Sequence, residues 1–250
     1  MSIMKAVMTI IRQDVYNLFT NPMWVFYNTL FGFLLVWILG VLCEGLYGDK
    51  ITSYDYYGVA ILVFAVLNGA TISANSFMEE RIKMGNIRIL YSPVKSYWLY
   101  LSKIIGSFIF SVVCHLLLLG ALVLCFGMQL GKGHYEILIL LLLSGEIFAS
   151  TLGVFMCCLL KSESSANQVL SLLIQLLSCL GGIFFSLDRF GEVFRMVSYL
   201  SPVKWLLQSF FLLIYDYKVI PAHYVSGGLV LCTVVLLWGC RKTFHEENCL

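Results

Sequence analysis

Residues 97–126 read YWLYLSKIIGSFIFSVVCHLLLLGALVLCF, and this segment decides the fold class. Lys103 is the one Asp, Glu, Lys or Arg in it. About 20 apolar residues are enough to cross the hydrocarbon core of a bilayer as a helix. The segment is too long and too uniformly apolar for the surface of a soluble domain, so it predicts a membrane-spanning helix.

The composition of the whole chain agrees with this interpretation. Of its 250 residues, 60% are hydrophobic and 12% are charged. A soluble fold of this size would need far more polar surface to be wetted by water. The formal net charge of +2 is too balanced to indicate nucleic acid as a partner. The sequence therefore predicts an integral membrane protein in contact with lipid.

Five further apolar segments make six predicted spans in one transmembrane domain that covers residues 1–250. The six lie at about 23–43, 56–77, 97–126, 136–160, 166–187 and 223–240. An even number of spans places both termini on one side of the membrane. On that side lie ten Lys or Arg residues, against six on the other, and the positive-inside rule then makes both termini cytoplasmic.

Two segments are helical in pattern but are not predicted to span. Residues 1–21 have apolar positions at helical spacing and a polar face that includes Arg12 and Asp14, which is typical of an interfacial helix. Residues 188–221 contain an apolar stretch, Trp205–Tyr215, that is only about half as long as a bilayer is thick. We expect it to form a re-entrant hairpin on the outer side.

The most charged stretch of the chain is the loop at residues 79–96, between spans two and three. Ile82, Gly85 and Ile89 can share one face of a short helix, which Pro93 would terminate. Composition alone is compatible with a solvated cytoplasmic loop. The more specific interpretation is a coupling loop that docks a partner protein, and its candidate residues are Glu79, Glu80, Arg81, Gly85, Leu90 and Pro93.

This loop resembles that of the type-2 permease family of ATP-binding-cassette (ABC) exporters. The family pattern runs from an acidic–basic pair through Gly, Leu and Ser/Thr-Pro to a Lys in span three, and the matching residues are Glu80, Arg81, Gly85, Leu90, Ser92, Pro93 and Lys103. Asn86 replaces the usual Thr. A second resemblance lies in the hairpin, at Gly181, Gly182, Pro202 and Trp205, although the family's Pro near Phe185 is missing.

The resemblance implies a permease that works in pairs, as a homodimer or with a related permease. It also implies a separate cytoplasmic ABC ATPase subunit that drives the export of an amphipathic drug, peptide antibiotic or lipid-like compound across a bacterial plasma membrane. ATP and Mg²⁺ are expected on that subunit, with no cofactor on this chain, because the near-match to a phosphate loop at residues 127–133 is one residue short.

Glu146 is the lone carboxylate in the interior of a predicted span, since Glu136 stands at the boundary of span four. An ionised side chain at this depth costs about 2.5–3.5 kcal/mol on insertion scales, so Glu146 should face protein or water or be protonated. Substrate contact, a proton site and helix packing are all open interpretations.

Two other functional classes remain as alternatives. An ion-coupled secondary transporter would need several buried ionisable groups and an internal repeat. A membrane sensor or enzyme subunit would need polar residues converging at one depth. No HExxH, GxSxG or clustered His/Cys motif is present, so catalysis by this chain is not expected.

Overall fold

The computed structural model describes residues 3–45, 51–91, 95–131, 133–184 and 191–244. All regular structure in these ranges is helical. The elements are α1 (Ile3–Phe19), α2 (Pro22–Val25), a π-helical turn (Phe26–Leu30), α3 (Phe31–Leu42), α4 (Ser53–Met78), α5 (Glu80–Leu90), α6 (Tyr97–Phe126), α7 (Tyr135–Leu160), α8 (Glu163–Gly181), α9 (Glu192–Ser198), α10 (Pro202–Tyr215) and α11 (Ile220–Thr243).

Six helical segments among the described residues are long and apolar enough to cross a membrane. They are Pro22–Leu42, which joins α2, the π turn and α3, and the helices α4, α6, α7, α8 and α11. The predicted all-α polytopic fold with six spans is confirmed. Span five ends at Gly181 rather than Leu187, because Gly182 adopts a left-handed conformation (φ +82°) that terminates the helix.

Helix α4 occupies the centre of the bundle and packs against α3, α6, α7 and α8. Its closest neighbour is α7, where Gly153 lies directly against the backbone of Ala70. The hydroxyl of Ser73 donates to the carbonyl of Ser150 at 2.6 Å across this contact. Helices in lipid associate through such close packing of small residues, because apolar burial gives no net driving force between them.

Both described ends of the chain lie at one end of the bundle, which we call the terminal face. Phe244 follows α11 and packs on Tyr100 near the start of α6, with ring centroids 5.4 Å apart. It also contacts Phe77 at the end of α4. Helices α1 and α5 lie at the same end. We call the opposite end of the bundle the hairpin face.

Helices α9 and α10 are bent by 96° relative to each other. The bend lies deep in the bundle, where the hydroxyl of Ser201 donates to the carbonyl of Leu177 at 2.8 Å. From there α10 runs to the hairpin face, where Ile214 packs against Gly131. With 14 residues, α10 is too short to cross the membrane. A bend of this size belongs to a broken span or to a re-entrant loop, so the re-entrant hairpin stays a prediction; its residues 188–190 lie outside the described ranges.

The first span is interrupted by a π-helical turn at Phe26–Leu30. The wider turn frees backbone carbonyls, and side chains bond two of the carbonyls beside it. Asn28 donates to the carbonyl of Trp24 at 2.8 Å, and Thr29 donates to that of Val25 at 2.6 Å. Such insertions are frequent at functional sites.

One residue of α1, Asp14, does not face the side of the helix that the sequence predicts. The sequence pattern places Asp14 on the water-facing side, but the structure buries it against α6. There it accepts a hydrogen bond from the ammonium of Lys103 at 2.5 Å. The approach is possible because Gly106 has no side chain; a Cβ there would lie 3.0 Å from that of Asp14. Lys103 needs a counter-charge inside the bundle, and Asp14 provides it.

Candidate functional site: an intramembrane cavity and a coupling surface

A cavity of about 370 Å³ lies between the first span, α4 and α8. Aromatic and aliphatic side chains form much of its wall, including Trp24, Phe31 and Phe64. Its polar lining consists of Asn28, Asn68, Thr71, Asn75, Asn167 and Ser171. The cavity therefore offers apolar walls and neutral hydrogen-bonding groups at membrane depth, which is the usual composition of a site for an amphipathic molecule.

The polar lining follows one face of α4, because Asn68, Thr71 and Asn75 are separated by helical intervals. Asn68 donates to the carbonyl of Phe64 at 2.8 Å, and Thr71 donates to that of Asn68 at 2.8 Å. Asn75 accepts a hydrogen bond from the amide of Asn167 on α8 at 2.5 Å, so α4 and α8 meet through an amide pair. The side-chain oxygen of Asn167 is buried without a hydrogen-bond partner.

A polar stripe continues on the outside of α8. Gln168, Ser171 and Gln175 lie at helical spacing within this span and are exposed on the surface of the single chain. Polar side chains in the hydrocarbon region belong against protein or water rather than lipid. The stripe borders the cavity through Ser171. This side of the chain is therefore suited to face another protein or an aqueous path.

The predicted coupling loop forms helix α5 at the terminal face. Its inward positions are Ile82, Asn86 and Ile89; the amide of Asn86 is buried and donates to the carbonyl of Phe77 at 2.8 Å. Gly85 is exposed, with no atom within 4 Å of the place where a Cβ would stand. Asn86 takes the inward position because its amide can donate a hydrogen bond to the buried carbonyl of Phe77 in the last turn of α4.

Glu79 joins α4 to α5, and α5 extends from Glu80 and Arg81 to Leu90. Pro93 lies outside the described residues. Between α5 and α1 is a polar cavity of about 300 Å³, lined by Asp14, Asn17, Ser76, Glu79, Ile82 and others. Burial raises the pKa of Asp14, although Lys103 opposes the shift. The end of α4, the coupling helix and α1 therefore meet at one cavity.

Glu146 lies in the interior of the bundle and is fully buried among protein. Its carboxylate is bonded to Nδ1 of His115 on α6, which is also fully buried. Sequence reasoning does not single out His115 as a functional residue. No sequence spacing connects the two residues, because they lie 31 positions apart on different helices.

The hairpin residues singled out in the sequence form one contact region. A Cβ at Gly181 would lie within 3 Å of the side chain of Val203, so glycine permits α8 and α10 to touch. The carbonyl of Gly182 accepts a hydrogen bond from the hydroxyl of Tyr56 at 2.8 Å. Pro202 is the first residue of α10, a position in which its missing N–H costs nothing. Trp205 is half exposed on the surface of α10.

Within the described ranges, no three His, Cys, Asp or Glu side chains are grouped as metal ligands would be. None of the eight cysteines in these ranges is in a disulfide.

Comparison with known proteins places this arrangement in a family. No curated protein matches the sequence. The family model for the ABC-2 type transporter membrane domain matches residues 5–215, which include every span except the last. That domain is the transmembrane permease component, and its family implies a partner ABC subunit. This chain therefore belongs to the ABC-2 type transporter family and is the integral membrane permease of an ABC transporter.

Proposed function

We propose that the chain is the permease of an exporter for an amphipathic compound: a drug, a peptide antibiotic or a lipid-like molecule. The cavity between the first span, α4 and α8 carries this proposal. Its apolar walls suit the hydrocarbon part of such a cargo, and its amide and hydroxyl groups suit a polar head. Since the polar lining is uncharged, the cavity favours neutral hydrogen-bonding groups over ions.

The working unit in this proposal is a pair of permeases, either two copies or this chain with a related one. The support is the exposed polar stripe of Gln168, Ser171 and Gln175, which a single chain leaves facing lipid. Pairing through this side would cover the stripe and place the two cavities on a shared path. The terminal face is then cytoplasmic, in agreement with the excess of basic residues on that side, and the membrane is the bacterial plasma membrane.

Energy enters at the terminal face. The partner ABC ATPase binds ATP and Mg²⁺ and contacts the exposed surface of α5, around Gly85 and Arg88. Glu80, Arg81, Leu90 and Pro93 belong to the same docking segment. Because α5 is fastened to the end of α4 by the bond between Asn86 and Phe77, a push on α5 moves α4, which forms one wall of the cavity.

The proposal is tested by removing one hydroxyl from the cavity. Thr71→Val should reduce stimulation of ATP hydrolysis by amphipathic compounds, and their transport into inverted vesicles, by about tenfold, since one polar group is worth about 1–1.5 kcal/mol. Basal hydrolysis by the reconstituted complex should be unchanged.

Thr233→Val is the matched control. It also removes an intrahelical hydroxyl bond, from Thr233 to the carbonyl of Leu229 at 2.8 Å, but on α11 and away from the cavity. Equal behaviour of the two variants toward a panel of amphipathic compounds would reject the cavity as the transport site.

A further inference from the structure

Four polar side chains follow one face of α6 at intervals of four residues: Lys103, Ser107, Ser111 and His115. All four are almost completely buried. Residues four apart on a helix lie above one another, so the four form a row from the terminal face into the membrane. The ionisable members of the row, Lys103 and His115, are costly to bury in a membrane helix unless they are paired with polar groups or face water.

The row is completed by the neighbouring helices. The hydroxyl of Ser107 lies 3.0 Å from that of Ser73 on α4 and 2.7 Å from the carbonyl of Lys103. Ser73 donates to the carbonyl of Ser150 on α7 at 2.6 Å. Gly69 of α4 leaves room for Ser111 and Glu146, whose oxygens lie 3.4 and 3.6 Å from the position of a Cβ at residue 69. We call Ser73, Ser107, Ser111 and Ser150 the serine column.

A buried pair of ionisable side chains lies at each end of the serine column. At the inner end is His115 with Glu146. At the other end is Lys103 with Asp14, and Asp14 also lines the polar cavity at the terminal face. The serine column therefore lies between a site in the centre of the bundle and a cavity at its end.

Five polar atoms at the two pairs and in the serine column are buried without a hydrogen-bond partner in the protein. The atoms without a protein partner are Asp14 Oδ2, Ser111 Oγ, Ser150 Oγ, His115 Nε2 and Glu146 Oε2. Buried polar atoms normally have a partner, and internal water supplies one where the protein does not. Hydroxyls and internal water together are a medium through which a proton can pass.

The His115–Glu146 pair can hold a proton in two forms of the same net charge. With the proton on His115 Nδ1 the pair is imidazolium and carboxylate; with the proton on Glu146 Oε1 it is imidazole and carboxylic acid. Transfer between these atoms breaks one N–H bond and forms one O–H bond without separating net charge. Among the described neighbours, Cys114 of α6 is the titratable side chain beside Glu146, while α4 contributes Gly69 and α7 contributes Ser150.

We propose that His115 and Glu146 form a proton-exchange site in the centre of the membrane, connected to the terminal face by the serine column. The site is additional to the proposed transport cavity, which is lined by a different face of α4. Its ligand is the hydrogen ion, and each proton that it releases toward the terminal face is replaced by one from the same route.

The proposal is tested by following exchange of the His115 ring proton for deuterium. The full-length protein, labelled with ¹⁵N-histidine and reconstituted in liposomes, is transferred to D₂O and observed by solid-state NMR; the spectrum of His115→Gln identifies the signal. We expect the double variant Ser107→Ala, Ser111→Ala to exchange at least tenfold more slowly than the wild type. Glu146→Gln, which removes the acid–base partner, should also slow the exchange at least tenfold.

Whether exchange becomes slower or faster in the serine variant shows whether the serines conduct protons or only hold the helices together. Loss of the serine hydrogen bonds weakens helix packing, and weaker packing would speed exchange through local opening. Ser209→Ala on α10 and Glu136→Gln at the exposed start of α7 are the matched controls and should stay within twofold of the wild type. Unchanged or faster exchange in the serine double variant overturns the proposal, even if Glu146→Gln fails to fold.

Discussion

Gly153→Ala would test the contact between α4 and α7 that organises the bundle. A Cβ at residue 153 would overlap the carbonyl oxygen of Ala70, and it would also lie 2.9 Å from the carbonyl carbon of Ala70 and 3.0 Å from Cβ of Ser73. Two of these three atoms belong to the backbone, so no rotation of a side chain can relieve the overlap. One helix must move away from the other.

The cost of that movement can be bounded. Overpacking of a well-packed interior costs about 1–3 kcal/mol, and more when backbone has to shift. We expect at least about 3 kcal/mol here, because the hydrogen bond from Ser73 to the carbonyl of Ser150 crosses the same contact and would lengthen. For a chain of this size, this corresponds to a fall in Tm of roughly 6–12 °C.

The assay is thermal unfolding of the purified protein in a mild detergent, compared with Gly227→Ala. Gly227 lies inside α11 with no atom within 4 Å of a Cβ. Alanine there should be neutral or stabilising by about 0.5–1 kcal/mol, because it favours the helix more than glycine does. Equal unfolding temperatures for the two variants would refute the close α4–α7 contact.

Three further substitutions address other parts of the molecule. Gly85→Trp should abolish co-purification with the ABC ATPase while Gly85→Ala preserves it, since only the large side chain protrudes from the exposed face of α5; retention by both would remove this face from the docking surface. Asp14→Asn should lower the free energy of unfolding by about 3–5 kcal/mol by leaving Lys103 buried and unpaired, and Asp14→Leu with Lys103→Met should recover most of it, as measured by denaturant titration. Tyr56→Phe should cost about 0.5–1.5 kcal/mol by removing the bond to the carbonyl of Gly182 while keeping the ring stacked on Phe211, and a neutral unfolding temperature would count against that bond.

The spans and the bend before α10 were predictable because length and hydropathy act locally. Thirty apolar residues at 97–126 can satisfy their backbone in lipid only as a helix, whatever surrounds them. The bend before α10 follows in the same way from Pro202 and from a following apolar stretch too short to cross. Even the end of span five, misplaced at Leu187, depended on one local feature, the left-handed conformation of Gly182.

Pairings between helices were not predictable in this way. Asp14 looks like a water-facing residue of an amphipathic helix until Lys103, 89 positions later, is known to lie beneath it. His115 and Glu146 are each isolated in apolar sequence, and only the packing of α6 on α7 makes them partners. A signal was nevertheless present: an unpaired charge or imidazole in a membrane span requires a polar partner at its own depth.

The π-helical turn at Phe26–Leu30 determines which side of the first span faces the bundle after it. Beyond it, Gly32, Val36 and Gly40 face the bundle, and the close fit of Gly32 against Leu118 tolerates no other side of the helix there. A π turn accommodates one more residue than an α turn, so a substitution that converted it into regular α-helix without removing a residue would rotate everything that follows by about 100°. Gly32 and Gly40 would then point at lipid, so the direction in which these glycines face depends on the π turn.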